Sequence, residues 1–117
     1  MTTLVIGGAG FIGSALIGRL IKNNNNTDIV VVDKLSLGSI DNLSGLNIVF
    51  YHEDINNFEA IIKLLKNHSD INEVWHLAAN SDIPAGISDV EIDLKDTFLS
   101  TVSTLKVMEK LGCKKLY

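Results

Sequence analysis

The sequence contains few residues that could cross-link the chain or restrict its backbone, and it has no segment typical of a membrane anchor. It contains one cysteine and one proline among 117 residues. Cys113 has no second thiol with which to form an internal disulfide or a zinc pair. No stretch approaches the roughly 18 apolar residues of a membrane span, and residues 1–4 lack the basic flank of a secretory signal. We therefore predict a reducing, cytoplasmic location and no membrane partner.

Basic residues are also in short supply. The 10 Lys and Arg residues are outnumbered by 14 Asp and Glu residues, which gives a formal net charge of −4. Nucleic-acid binding usually requires Lys and Arg clustered on one face, so we expect no nucleic-acid partner. The three histidines, His52, His68 and His76, lack the spacing of a metal site, and no metal is predicted.

The chain does contain enough apolar residues for a folded core. Its 46% apolar and 21% charged residues are close to the average for globular proteins, which excludes a disordered or collagen-like chain. A length of 117 residues holds one domain or part of one. Two complete domains are excluded.

Short apolar runs alternate with amphipathic stretches. The runs predict strands at 4–6, 29–32, 48–51, 74–78 and 114–117, and the stretches predict helices at 11–22, 58–65 and 94–108. Four asparagines at 23–26 predict a turn, and residues 80–89 around Pro84 predict a loop. This alternation is typical of an α/β fold with a doubly wound parallel sheet. Because the sequence stops inside the fifth strand, we expect a fragment of a longer protein.

Two of the helices have an apolar face that we predict to be buried. In the first helix, Ile12, Leu16 and Leu20 recur every four residues. In the long third helix, the face consists of Leu94, Phe98, Val102, Leu105 and Met108.

A glycine-rich segment, Gly-Gly-Ala-Gly-Phe-Ile-Gly, links the first strand to the first helix at 7–13. Its glycines permit a close backbone approach, and the helix that follows points unpaired N–H groups at a bound pyrophosphate. Asp33 ends the second strand 20 residues after Gly13, where a carboxylate reaches the ribose hydroxyls of a dinucleotide. A glycine turn that only packs helix against sheet is the alternative. A P-loop is disfavoured because no Lys-Ser/Thr pair follows the glycines.

The glycine segment is accompanied by Val-Val-Asp-Lys-Leu-Ser at 31–36, Asp-Ile at 54–55 and Trp-His-Leu-Ala-Ala at 75–79. Together these motifs resemble the NAD-dependent epimerase/dehydratase branch of the short-chain dehydrogenases, over essentially the whole chain. The resemblance implies a Rossmann-type NAD-binding fold, with residues 1–117 as a fragment of that domain. It also implies a nucleotide-sugar substrate and a homodimer through the long helix for the intact protein.

The motifs and the resemblance together predict a set of cofactor-binding residues. The set is Gly7, Gly10, Phe11, Ile12, Gly13, Asp33, Lys34, Leu35, Ser36, Asp54, Ile55, Leu77, Ala78, Ala79, Ser81 and Ser100. Two structural alternatives stay open: Asp54 as a carboxylate at a helix N-terminus, and Ala78 and Ala79 as close-packed sheet residues. We expect NAD to bind more tightly than NADP, because Asp33 would repel a 2′-phosphate and Lys34 would offset only part of that repulsion.

The catalytic pair that the resemblance implies, a Tyr with a Lys four residues later, is missing from the sequence. Tyr51 is followed four residues later by Ile55, and Tyr117 is the last residue. We therefore assign no catalytic residue and expect the chain alone to be inactive, without the substrate domain. The function predicted for the intact protein is an epimerase or dehydratase that oxidises a sugar hydroxyl and returns the hydride. The alternatives are a non-catalytic dinucleotide-sensing module and an NADP-dependent carbonyl reductase.

Overall fold

The computed structural model describes residues 1–24 and 26–117, so Asn25, in the turn predicted at 23–26, lies outside the described residues. The strands are β1 (Thr2–Ile6), β2 (Asp28–Asp33), β3 (Val49–His52), β4 (Ile71–His76) and β5 (Lys115–Leu116). The helices are α1 (Phe11–Asn23), α2 (Phe58–Leu65), α3 (Ile83–Ser88), α4 (Val90–Asp93) and α5 (Ser100–Leu111). A 3-10 turn at Ile40–Leu43 precedes β3, and a π-helical segment at Leu94–Leu99 joins α4 to α5.

The strands form one parallel sheet in the order β3-β2-β1-β4-β5. Every residue of the central strand β1 is buried, as expected for a strand covered on both faces. Leu4 and Ile6 pack with α2 and α5 on one face, and Val5 packs with Ile17 of α1 on the other. The predicted doubly wound Rossmann-type fold is therefore confirmed.

Two predicted boundaries near β4 were wrong. The strand ends at His76 instead of 78: the Leu77 N–H still donates to the Ile6 carbonyl of β1, and the backbone then turns at Leu77 and Ala78 to pack against Gly7. The loop predicted at 80–89 contains the helix α3. Asp82 caps α3 by accepting a hydrogen bond from the Ala85 N–H, and Pro84 occupies the first turn, where a missing N–H costs nothing.

The predicted buried faces of two helices were also wrong in part. In α1 the buried residues are Gly13 and Ile17, and Ile12 is 69% exposed. In the long helix Phe98 is 61% exposed, whereas Ser100 and Thr104 face the sheet. A π turn inserts extra residues into the helical repeat and therefore rotates the residues before it relative to those after it.

Within residues 1–24 and 26–117, we find no helix that combines the length and the apolar character needed to cross a membrane.

Candidate functional site

A cavity of about 530 Å³ opens at the carboxyl ends of the central strands. The order in which the strands are added to the sheet reverses there: β2 and β3 lie on one side of β1, and β4 and β5 lie on the other. Such a switch point is where open parallel sheets bind ligands. Of the predicted binding residues, the lining contains Gly7, Gly10, Phe11, Ile12, Gly13, Asp33, Lys34, Ser36, Asp54, Ile55, Leu77, Ala78, Ala79, Ser81 and Ser100.

The glycines of the 7–13 loop do not all serve the same purpose. Gly7 has a φ of +80°, and a Cβ there would lie 2.6 Å from the Ala78 nitrogen. A Cβ on Gly13 would lie 2.6 Å from the Gly7 carbonyl oxygen. At Gly10 the nearest described atom would be 3.6 Å away, and the φ of −77° suits any residue. The fold therefore requires glycine at 7 and 13 but does not require it at 10.

The N-terminus of α1 borders the cavity with its backbone donors open. Among the described residues, no side chain caps this helix at Gly10, and its first turn contains no acidic residue. Phe11 is 90% exposed, so the first turn is open to solvent on the cavity side. The positive end of the helix dipole is thus available to an anionic ligand.

Asp33 is held at the cavity wall by two backbone amides. Its Oδ2 accepts a hydrogen bond from the Ala9 N–H at 2.9 Å, and its Oδ1 accepts one from the Leu35 N–H at 2.7 Å. Each carboxylate oxygen has two lone pairs, so both oxygens can accept a further hydrogen bond from a ligand hydroxyl.

Lys34 and Leu35, which follow Asp33, differ in their relation to the cavity: Lys34 lines it and Leu35 does not. The Lys34 ammonium forms an ion pair with Asp96 of the π-helical segment. Leu35 is absent from the described lining, because its positive φ of 58° turns the side chain back against the core that includes Ile17. A contact between Leu35 and a cofactor stays a prediction.

The Asp54 carboxylate closes a local turn as well as facing the cavity. Its Oδ1 accepts a hydrogen bond from the Asn56 N–H at 2.9 Å, which is close to the structural alternative considered for this residue. The helix α2 begins later, at Phe58, and Asp54 does not cap it. Ile55 is buried in the core and also forms part of the cavity lining.

Ser100 lies beneath the cavity with its hydroxyl already engaged. The residue is 2% exposed, and its Oγ donates to the Asp96 carbonyl at 2.7 Å, with the Thr97 and Ala78 carbonyls also within reach. A hydroxyl has a single proton to donate, and here that proton is directed at the backbone. Ser100 therefore joins the helix to the Ala78 turn, and its polar contact to a cofactor stays a prediction.

Sequence reasoning missed several residues of the cavity wall. They include Leu37, Gly38, Glu53, Asn56 and Asp96. Glu53 and Asn56 lie directly on either side of the Asp-Ile motif at 54–55. Their position next to a predicted site motif could have identified them as cavity residues. No sequence pattern indicated Asp96, because its contact at the cavity is with Lys34, which lies 62 residues earlier in the chain.

The tyrosines and His76 lie away from the cavity lining. Of the described residues that line the cavity, none is a tyrosine: the Tyr51 hydroxyl bonds to His68 Nε2 at 2.8 Å, and Tyr117 stacks on Trp75. His76 sits between the hydroxyls of two threonines of the long helix, and burial lowers the pKa of its imidazole.

Comparison with known proteins agrees with this geometry. Residues 3–117 match the model of the NAD dependent epimerase/dehydratase family. The dTDP-glucose 4,6-dehydratase of Salmonella typhimurium is 33% identical over 115 residues, which cover 94% of this chain and 31% of that protein. The UDP-glucose 4-epimerase of Halalkalibacterium halodurans is 32% identical over 116 residues, which cover 99% of this chain and 33% of that protein.

Solved structures show the same likeness. The UDP-glucose 4-epimerase of Thermotoga maritima, crystallised with UDP-glucose, has a TM-score of 0.89 and 34% identity and covers 99% of this chain. The UDP-glucose 4-epimerase of Thermus thermophilus, in complex with NAD, has a TM-score of 0.87 and 26% identity. The chain spans 36% of each of these two structures and about a third of the curated relatives above. The chain belongs to the NAD dependent epimerase/dehydratase family.

Proposed function

We propose that the cavity binds NAD, with the pyrophosphate against the glycine loop and the adenosine ribose at Asp33. The open N-terminus of α1 supplies backbone donors for the phosphates. The Asp33 carboxylate is fixed by two backbone bonds and accepts hydrogen bonds from the ribose hydroxyls. The turn around Asp54 then borders the adenine, and the small side chains of Ala78 and Ala79 leave room for the rest of the dinucleotide.

The observation that carries this proposal is the open space at Gly10. Gly7 and Gly13 are explained by packing alone, because a Cβ at either position would collide with backbone. A Cβ at Gly10 meets open space beside the helix N-terminus, so packing does not account for the glycine there. A ligand that brings its phosphates close to the backbone does account for it.

A single substitution tests this proposal. Gly10→Val places a branched side chain in the cradle, where its Cβ would lie no closer than 3.6 Å to the described atoms around it, so it should abolish NAD binding in isothermal titration calorimetry. The matched control is Gly18→Val in the middle of α1, where a Cβ meets nothing within 4 Å. The control should bind NAD like the parent chain, and thermal melts of both variants should show that the fold is retained. Binding of NAD by Gly10→Val with parental affinity would refute the proposed site.

The charge of the cavity supports NAD over NADP. The described lining contains four carboxylates, those of Asp33, Glu53, Asp54 and Asp96, against the single ammonium of Lys34. Adding a 2′-phosphate to the ribose brings further negative charge close to Asp33. The repulsion is strong in a partly desolvated crevice, where charges are screened less than in water.

For the whole protein, we propose an epimerase or dehydratase that acts on a nucleotide sugar. The support is the family and the relatives, whose names specify dTDP-glucose and UDP-glucose. The bound dinucleotide would accept a hydride from the sugar carbon that bears the hydroxyl, while the hydroxyl loses its proton to a base, and it would later return the hydride. The 117 residues of this sequence would supply the binding part of that chemistry by holding the cofactor in the cavity.

We also propose that the whole protein forms a homodimer through the long helix. The support is an apolar stripe on the solvent side of this helix, where Leu94, Phe98 and Leu105 are each about half exposed or more. Burying such a stripe against a second copy removes apolar surface from water. Sedimentation velocity of the whole protein tests this: Phe98→Asp should shift the population from dimer to monomer, and a dimer unaffected by that change would refute this interface.

A further inference from the structure

The Lys34–Asp96 ion pair connects two walls of the proposed NAD site. Lys34 follows β2, directly after the carboxylate at the proposed ribose position, and Asp96 lies in the π-helical segment. Both side chains line the cavity, and they are only 34% and 22% exposed, respectively. A partly buried pair of this kind is less screened by solvent than an ion pair on the surface.

The backbone of Lys34 is held firmly, so its ammonium is the part that can change partner. The Asp33 carbonyl accepts a hydrogen bond from the Glu53 N–H at 3.2 Å, and the His52 Nε2 lies 3.1 Å from the Lys34 carbonyl oxygen. These contacts fix where the side chain of Lys34 starts. A lysine side chain is a flexible stem with a compact charge, which can pair with either a carboxylate or a phosphate.

We propose that Asp96 sets the dinucleotide preference of this site by engaging the Lys34 ammonium, which would otherwise pair with the 2′-phosphate of NADP. This inference rests on the proposed function, since it requires a dinucleotide in the cavity. Asp96 is a positioning residue in this scheme: it acts on the cofactor through Lys34. Without the ion pair, the one cation of the described lining is available to the phosphate that distinguishes NADP from NAD.

The same substitution has a second effect that the experiment must separate. Asp96→Asn frees Lys34 and also removes one of the negative charges that face the cavity. The other charged groups of the described lining, Asp33, Glu53 and Asp54, are unchanged by it. A general charge effect persists when Lys34 is absent, whereas an effect transmitted through Lys34 disappears.

The experiment is a double-mutant cycle on the dissociation constants of NAD and NADP for the purified chain. We expect Asp96→Asn to lower the ratio of the NADP constant to the NAD constant roughly three- to tenfold. In the background of Lys34→Met, the same change should leave the ratio unaltered. Asp96→Glu, which can rebuild the ion pair, should restore the parental ratio. Thermal melts accompany each titration to show that the variants are folded.

Glu91→Gln is the matched control for net charge. It removes a carboxylate from α4, the helix that leads into the π-helical segment, and breaks the exposed Glu91–Lys95 pair, whose atoms lie 2.9 Å apart. The control should leave the ratio unchanged. An equal drop in ratio for Glu91→Gln, or a drop for Asp96→Asn that persists without Lys34, would overturn the inference while leaving the NAD site intact. Failure of the parent chain to bind NAD at all would overturn the proposed function and this inference together.

Discussion

The hydrogen bonds of Asp33 predict that replacing it with asparagine weakens the fold as well as the proposed cofactor site. Both carboxylate oxygens accept hydrogen bonds from backbone amides: one comes from Ala9 in the glycine loop after β1, and the other comes from Leu35, just after β2. Asparagine retains only one acceptor oxygen, so either the Ala9 or the Leu35 N–H would face an NH₂ donor. The Leu35 amide matters most, because its bond to Asp33 stabilises a left-handed φ of 58° that leucine disfavours.

The size of the effect follows from the type of bond that is lost. A hydrogen bond to a charged group contributes about 1.5–3 kcal/mol, and Asp33 is only partly buried. We therefore expect Asp33→Asn to lower the free energy of unfolding by about 2 kcal/mol. With a urea dependence of roughly 1.5 kcal/mol per molar for a domain of this size, the unfolding midpoint should fall by about 1.3 M.

The assay is urea unfolding followed by circular dichroism, without cofactor. The matched control is Asp28→Asn, the same substitution at the other end of β2, where the side chain is exposed. A surface change of this kind usually shifts stability by less than about 0.5 kcal/mol. If the midpoints of the two variants fall by the same amount, the two amide bonds do not stabilise the fold and our interpretation of Asp33 is wrong.

Three further predictions follow from the same geometry. NAD should bind roughly thirtyfold more tightly than NADP, a difference of about 2 kcal/mol, and parallel calorimetric titrations should show the gap narrowing in Asp33→Asn; a parental preference for NADP would contradict this. The purified chain should show no epimerase, dehydratase or dehydrogenase turnover in a coupled NADH absorbance assay, because neither Tyr51 nor Tyr117 reaches the cavity. Measurable turnover would contradict this prediction. Burial lowers the pKa of His76 in the folded state, so its contribution to stability is complete above its ordinary pKa of about 6.5 and declines as the pH falls from there towards the folded pKa. Urea midpoints at pH 7.5 and 5.5 should therefore differ more for the parent than for His76→Gln, and equal differences would argue against it.

The features that could be predicted from the sequence are those that depend on local pattern and on topology. Apolar runs such as residues 29–32 indicate strands, because a strand that is covered on both faces has apolar side chains on both of them. Once the strands are parallel, their carboxyl ends meet at one edge, so the glycine loop, Asp33 and the Leu-Ala-Ala segment at 77–79 must converge. The position of the cavity therefore follows from the order of the elements.

The features that could not be predicted depend on contacts between distant residues. Periodicity identifies an apolar face but does not show whether the chain covers it: Phe98 belongs to the predicted apolar face, yet it is 61% exposed. The π-helical segment at Leu94–Leu99 also shifts the register within what reads as one helix. Asp96 reaches Lys34 only because that segment passes over the end of β2, and no local pattern encodes this passage.

The glycine motif combines positions that the structure explains in two different ways. As a sequence pattern, the glycines at 7, 10 and 13 count equally towards a phosphate-binding loop. In the structure, Gly7 and Gly13 are required by the close packing of the loop against the Ala78 turn and against itself, so they would be needed in the absence of any ligand. Gly10 alone among these three has open space where its side chain would be. The case for a bound dinucleotide therefore depends on that one position far more than on the length of the motif, and replacing Gly10 separates a binding loop from a packing turn.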